Sequence, residues 1–219
     1  AQLRHPDSDV RHNTALALGS IGRAAARAVP VLAEALADPD ADVRGRAAWA
    51  LAIIAPKHPG LVEALTRSLS DAPAEHVRAA AALALAGFGR KAAPAVPVLI
   101  DALHAGSDGI CFYAAQALAK IGPAAREAVE HLVPMLSHED GDIRHAAAAA
   151  LSWIGPDFPS AVDEFLRLLE DPEVQVRYYA AQALSKIGLP ASRALPKLIA
   201  LAGGDAEGEV RVWAAFSLA

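Results

Sequence analysis

The segment HEDGDIRH, residues 138–145, gathers two histidines and three acids in eight positions. That composition suits a metal site or a proton-transfer site, provided the side chains converge. A metal needs ligands arranged around one point. Here His138 falls in a stretch with turn character, while His145 falls on the helix that follows. The expectation is a polar loop between helices, with no metal ligand. Cys111 is the single cysteine. A reactive thiol needs a positive neighbour or a paired His, and the preceding GSDGI supplies neither. Cys111 therefore reads as a small, semi-buried filler. The chain has no glycine-rich phosphate loop, no G-x-S-x-G and no Cys-x-x-Cys. No catalytic residue and no cofactor are expected.

Two sets of residues remain, and both recur at a fixed interval. The segment ICFYAAQALAKIG (110–122) returns as VRYYAAQALSKIG (176–188), identical at nine of thirteen positions. Half that separation is the period of the whole chain. A Val/Ile-Arg pair recurs as Val10-Arg11, Val43-Arg44, Val77-Arg78, Ile143-Arg144, Val176-Arg177 and Val210-Arg211, with Ile110-Cys111 in the fourth place. The steps are 33 or 34 residues. A second marker, AVPVLAEAL (28–36), returns as LVEALTRSL, AVPVLIDAL, AVEHLVPML, AVDEFLRLL and ALPKLIALA.

Each period holds two amphipathic helices. In the first, counted from the Val, apolar residues fall at 0, +4, +5, +7, +8 and +11, one continuous face at about 100° per residue. Asp38-Pro39 and Asp171-Pro172 read as helix starts, with the acid as N-cap and Pro at the first helical position. Gly22, Gly89, Gly122, Gly155 and Gly188 read as stops; Ala55 breaks that rule. Pro134 lies deep enough in its second helix to kink it. A two-helix unit cannot bury its apolar face alone, whereas stacked units can. The expected fold is all-α: a right-handed solenoid with period 33–34. Its units run at about 7–37, 38–70, 71–104, 105–137, 138–170 and 171–203, with partial units at 1–6 and 204–219. Neither end carries a polar capping unit, which suggests a piece of a longer array.

The consensus D-x-x-V-R-x-x-A-A-x-A-L-G-x-I-G…A-V-P-x-L-x-x-x-L resembles short HEAT-like repeats of the phycobilisome-lyase type, and artificial scaffolds built on them. The resemblance implies a solenoid whose Arg after each Val reaches acids of an adjacent repeat. On that reading Arg11, Arg44, Arg78, Arg144, Arg177 and Arg211 form a structural ladder. Its candidate acids are Asp7, Asp9, Asp40, Asp42, Asp142, Glu173 and Glu209, and Cys111 is a missing rung. The alternative for an Arg row, anion binding, is the weaker reading because the repeat consensus itself contains it. The resemblance also implies that variable first-helix positions line the concave face.

Those positions are −1, +2, +3, +6 and +10, an arc opposite much of the core face. They hold all three Trp and all three Tyr of the chain. Candidate partner-binding residues are Arg46, Trp49, Phe112, Tyr113, Gln116, Lys120, His145, Trp153, Tyr178, Tyr179, Gln182, Lys186, Trp213 and Phe216. Exposed aromatics among Gln and Lys have the composition of an interface hot spot; lateral packing on neighbouring repeats competes, above all for Trp153. The expected function is a non-catalytic scaffold for a protein or peptide. The alternatives, from resemblance, are a bilin-lyase-like subunit or a HEAT-like DNA glycosylase. A net charge of −5 argues against nucleic acid. No apolar run approaches the ~18 residues that span a bilayer. A single cysteine fits a reducing compartment, so a cytoplasmic protein is expected, although a leader lost before residue 1 would change that.

Overall fold

The computed structural model describes residues 2–155, 161–187 and 195–216, and among these there is no strand. The first helices of the repeats are α1 (Ser8–Ile21), α3 (Ala41–Ile54), α5 (Glu75–Phe88), α7 (Asp108–Ile121), α9 (Gly141–Ile154), α11 (Val174–Ile187) and α13 (Gly208–Phe216). The second helices are α2 (Val29–Glu34), α4 (Leu61–Asp71), α6 (Val96–Ala105), α8 (Val129–Leu132), α10 (Val162–Leu168) and α12 (Leu195–Gly204). The chain divides into two compact units, residues 1–117 and 118–219. In the first unit α3 packs between α1 and α5, and α4 packs on α6. In the second unit α11 packs between α9 and α13.

The helix starts lie two residues later than the Asp-Pro pairs suggest. Asp40, not Asp38, caps α3, its Oδ1 accepting from the N–H groups of Asp42 (2.9 Å) and Val43 (3.1 Å). Asp140 caps α9 in the same way, and Asp7 caps α1 through the N–H of Asp9 alone. Asp38 instead closes a turn, Oδ1 accepting from Asp40 N–H at 2.9 Å, and Asp171 does the same for Glu173 N–H at 3.0 Å. The stops are as expected: Gly22, Gly89, Gly122 and Gly155 all have positive φ, which an L side chain rarely adopts. Gly188 lies outside the described residues. The second helix containing Pro134 is broken, α8 ending at Leu132 and a 3₁₀ turn running from Pro134 to Ser137.

Ser8–Ala37 and Glu75–Ala105 are each long and apolar enough by composition to cross a membrane. Gly22 at φ 69° and Gly89 at φ 53° divide them into two helices each, as a repeat requires. In the first unit Ala15, Leu32, Ala47, Leu51 and Leu61 are buried in one cluster, and Phe88 packs against it. In the second, Leu132, Ile143, Leu151, Phe165 and Leu184 are buried.

The arginine ladder exists, with different acids. Arg11 donates to Asp38 through Nε (2.8 Å) and Nη2 (2.9 Å). Arg144 grips Asp171 (2.8 and 3.0 Å) and Arg177 grips Asp205 (2.8 and 3.1 Å) by the same fork. Arg44 and Asp71 approach to 3.6 Å. The acid therefore lies 27 or 28 residues after its Arg, in the turn before the next first helix. The acids expected from sequence are helix caps or first-turn residues. Each Arg also donates Nη1 to the carbonyls six and five residues before it, as Arg78 does to Ala72 and Pro73. Arg211 does the same with Asp205 and Ala206. So the guanidinium of Arg11, Arg144 or Arg177 ties its own turn to the next one, whereas Arg78, with Ala105 and Gly106 where the acid would stand, holds its own turn. Arg177 holds the Asp205 carboxyl below the usual carboxylate range, against the opposing effect of burial.

Cys111 occupies the vacant rung. It is buried, and its Sγ lies 3.3 Å from the Leu103 carbonyl and 3.7 Å from that of Gly106. Burial pushes the thiol up from its ordinary value, with the Asp108 charge adding to the effect. A protonated, enclosed thiol is a packing group.

Candidate binding face

The first helices place the candidate residues in two groups, one in each unit. In the second unit a chain of ring contacts crosses three consecutive first helices. His145 of α9 stacks on Tyr179 of α11, with centroids 5.3 Å apart and planes at 22°. Tyr179 meets Tyr178 edge-on at 4.9 Å. Tyr178 meets Trp213 of α13 at 5.9 Å, and Trp213 meets Phe216 at 5.6 Å, both edge-on. These are the favoured arrangements for aromatic pairs. Phe216 (66% exposed), Val212 (65%) and Trp153 (53%) are the most open. A cleft of about 660 Å³ is lined by Tyr178, Glu209, Arg211, Val212 and Trp213.

Around these rings the polar residues are already committed. Gln182, expected to face a partner, is 4% exposed, and its Oε1 accepts from Ser152 Oγ at 2.5 Å. A helical wheel treats one helix alone, whereas α9 and α11 lie side by side and cover that flank. Lys186 donates to the Ser152 carbonyl at 2.7 Å and sits 4.8 Å from the centre of the Trp153 ring. Partial burial lowers the Lys186 pKa and raises that of Tyr179. Burial also lowers the His145 pKa. Lys120 is exposed.

The first unit holds Phe112 and Tyr113, edge-on at 5.3 Å, with Gln116 half-buried one turn along. Its other candidates are Arg46 and Trp49. The Arg46 guanidinium lies over the Trp49 ring at 5.4 Å. Arg46 is only 7% exposed, and its Nε is the one buried side-chain nitrogen or oxygen without a hydrogen-bond partner among the described residues. Trp49 packs on Gly19 of α1, where a Cβ would collide with the indole. Trp49 also lines a cleft of about 610 Å³ with Ile53, Leu83, Phe88, Lys57 and Lys91.

Sequence reading missed a contact that these two places share. In each, the residue at +6 of one first helix packs on the residue at +9 of the one before: Trp49 on Gly19, and Gln182 on Ser152. The signal in the sequence is local to these pairs, the large Trp49 following a glycine and the polar Gln182 following a serine. Sequence reading also missed His12 and His76, whose rings meet edge-on at 5.5 Å beside Arg46. Among the described residues no group of His, Cys, Asp and Glu could hold a metal ion, and His138 Nδ1 accepts from Asp140 N–H at 3.1 Å in its own turn.

The profile of HEAT repeats matches residues 1–86, 29–119, 96–157 and 129–219. The chain belongs to the HEAT-repeat family. No curated protein matches it. Among solved structures, an engineered protein superposes with a TM-score of 0.77 at 27% identity, covering 99% of this chain and 65% of that one. A designed armadillo repeat protein in complex with the peptide (KR)4 superposes with a TM-score of 0.73 at 21% identity, covering 87% and 98%. The complex of CpcE and CpcF of phycocyanin lyase from Nostoc sp. gives a TM-score of 0.56 at 25% identity, covering 99% and 91%. The fold is thus an all-α solenoid of helical repeats, shared by binding scaffolds and by a lyase subunit.

Proposed function

We propose that this HEAT-repeat protein is a non-catalytic scaffold that binds a protein or peptide on the concave side, along its first helices. The observation that carries the reading is the ring series Tyr178–Trp213–Phe216 with Trp153. These are large aromatics outside the buried core, and Tyr178 and Trp213 among them line an open cleft. The Ala/Leu core is closed without them. Aromatic anchors beside polar side chains that are already hydrogen-bonded bury apolar area at little desolvation cost. The designed armadillo repeat protein of similar fold is in complex with the peptide (KR)4, which supports peptide binding as a use of such a solenoid. A random-peptide display library panned on the full chain tests the reading. Binders should be recovered and should lose affinity at least tenfold for the Tyr178→Ala/Trp153→Ala variant. Binders indifferent to that variant would sink it.

The similarity to CpcE and CpcF favours one second reading, a subunit of a phycocyanin-lyase-type enzyme. Its test is an absorbance change when a bilin pigment is added to the chain. The glycosylase alternative has no comparable support. Duplex DNA should give no salt-dependent shift in the thermal midpoint.

A further inference from the structure

Arg46 is a charge that the fold buries with its Nε left unpaired. Every other deeply placed arginine of the repeat, Arg11, Arg144 and Arg177, sits in a carboxylate fork. Arg46 occupies a different position, two residues on from the ladder residue Arg44. Gly45 beside it lies tight against Val77 and Ser68, so the backbone here comes close to the next repeat. Asp42 acts on Arg46 by charge alone, without a hydrogen bond, and the Oδ1 of Asp42 already accepts from Ala74 N–H at 3.1 Å. Removing an ion from water without a partner costs several kcal/mol, and a buried unsatisfied donor in a folded protein calls for a missing acceptor. Burial lowers the Arg46 pKa, the mark of an unmet desolvation cost.

The surroundings say what the acceptor is. The rings of His12 (α1) and His76 (α5) meet edge-on, and Arg46 of α3 acts electrostatically on His12, so two imidazoles and a guanidinium gather on three consecutive first helices. Burial, then Arg46 and His76, push the His12 pKa down, and Asp42 and Asp40 oppose them with smaller effects. The Trp49 ring under Arg46 is also a wall of the apolar cleft with Ile53 (39% exposed) and Leu83 (44% exposed), and Lys57 and Lys91 border that cleft. A ligand that satisfies both parts carries a carboxylate next to an apolar body.

We propose that Arg46, with His12 and His76, is a carboxylate-binding site, and that it takes an acidic side chain of a partner polypeptide whose neighbouring apolar side chain enters the Trp49–Leu83 cleft. The site rests on the scaffold reading only in assigning the carboxylate to a polypeptide; the oxyanion chemistry stands apart from it.

The test uses the full-length chain and three probes: 4-phenylbutyrate, its neutral amide, and inorganic phosphate. The readouts are the Nε–H resonance of Arg46 and the indole N–H resonance of Trp49, in the wild type and in Arg46→Met. The carboxylate should shift both resonances saturably. The amide should bind at least tenfold more weakly, and so should phosphate, which has no apolar body. Arg46→Met should lose carboxylate binding at least tenfold while its thermal midpoint stays level or rises, because an unpaired buried charge is removed. An Arg46 Nε–H that neither anion moves would overturn the proposal, as would equal binding by Arg46→Met. Phosphate binding as tightly as phenylbutyrate would overturn the coupling to the cleft. Should Arg46→Met fail to fold, the wild-type Nε–H response still decides. None of these probes reads the Tyr178–Phe216 series, so this site and the scaffold reading fail separately.

Discussion

Trp49 on Gly19 and Gln182 on Ser152 are the same two repeat positions solved in opposite ways. In the first unit the earlier helix gives up its side chain, and a large ring fills the space. That ring then serves as the floor for an unpaired Arg46 and the wall of a cleft. In the second unit both positions carry polar groups that satisfy each other, with Ser152 1% and Gln182 4% exposed. The rings there move outward to Trp153, Trp213 and Phe216. So one repeat pattern yields a charged, partly enclosed face in one unit and an open aromatic face in the other. What differs is the pair at the helix-to-helix contact. The repeat fixes where a side chain starts; the neighbouring helix decides whether it ends in solvent.

This contrast can be broken at several points. Leu151→Ala in the second-unit core should be the largest effect. It removes a fully buried side chain and should cost about 2–5 kcal/mol in denaturant unfolding. Next come the paired positions themselves. Ser152→Ala strands the buried Gln182 amide oxygen and should cost about 1–3 kcal/mol. Gly19→Ala drives a methyl into Trp49 and should cost about 1–3 kcal/mol through overpacking, and Trp49→Leu in the same chain should recover most of it. A Gly19→Ala variant as stable as the wild type would show that Trp49 does not depend on the glycine.

Smaller, and specific to pH, is His145. Burial lowers its pKa in the folded state below the ordinary value near 6.5. The unfolded chain then takes up the proton first as pH falls. The stability this group contributes is present above about pH 6.5 and declines as the pH drops toward its folded value. His145→Phe should therefore flatten the fall of the thermal midpoint between pH 7 and pH 5, two values that bracket the ordinary His range. An unchanged slope would remove His145 from the account. Smallest of all is Cys111→Arg. The carbonyl of Gly106 is in place to receive a guanidinium, but the residue twenty-seven positions on is His138, where Arg11, Arg44 and Arg144 have Asp38, Asp71 and Asp171. Without the acid, the midpoint should barely move.

The helices were legible because their cause is local: period, apolar spacing and the glycines at their ends. The ladder was half legible. Its arginines repeat visibly, but Asp38 and Asp171 look like caps, because an Asp before Pro and an acid two residues later both precede the helix. Only the geometry shows that Asp40 caps while Asp38 meets Arg11. The face was least legible. Tyr178, Trp213 and Phe216 were found from a helical wheel, yet the wheel also placed Gln182 and Arg46 at the surface. Lateral packing of one repeat on the next buries both, and that packing depends on residues some thirty positions away, such as Ser152 for Gln182. His12 and His76 are sixty-four positions apart in sequence, and only three stacked helices bring them together.

The most direct test of the scaffold account is a titration of a library-selected peptide into the wild type, Trp153→Ala and Leu151→Ala, with each thermal midpoint recorded beside its affinity. Trp153 is 53% exposed and Leu151 fully buried. Losing a central anchor commonly costs about 2 kcal/mol or more in binding. The account predicts that Trp153→Ala weakens binding at least tenfold with its midpoint unchanged, while Leu151→Ala lowers the midpoint and, where folded, binds as the wild type does. A Trp153→Ala protein that loses stability and still binds the peptide normally would contradict it, and would make the aromatic face lateral packing between repeats.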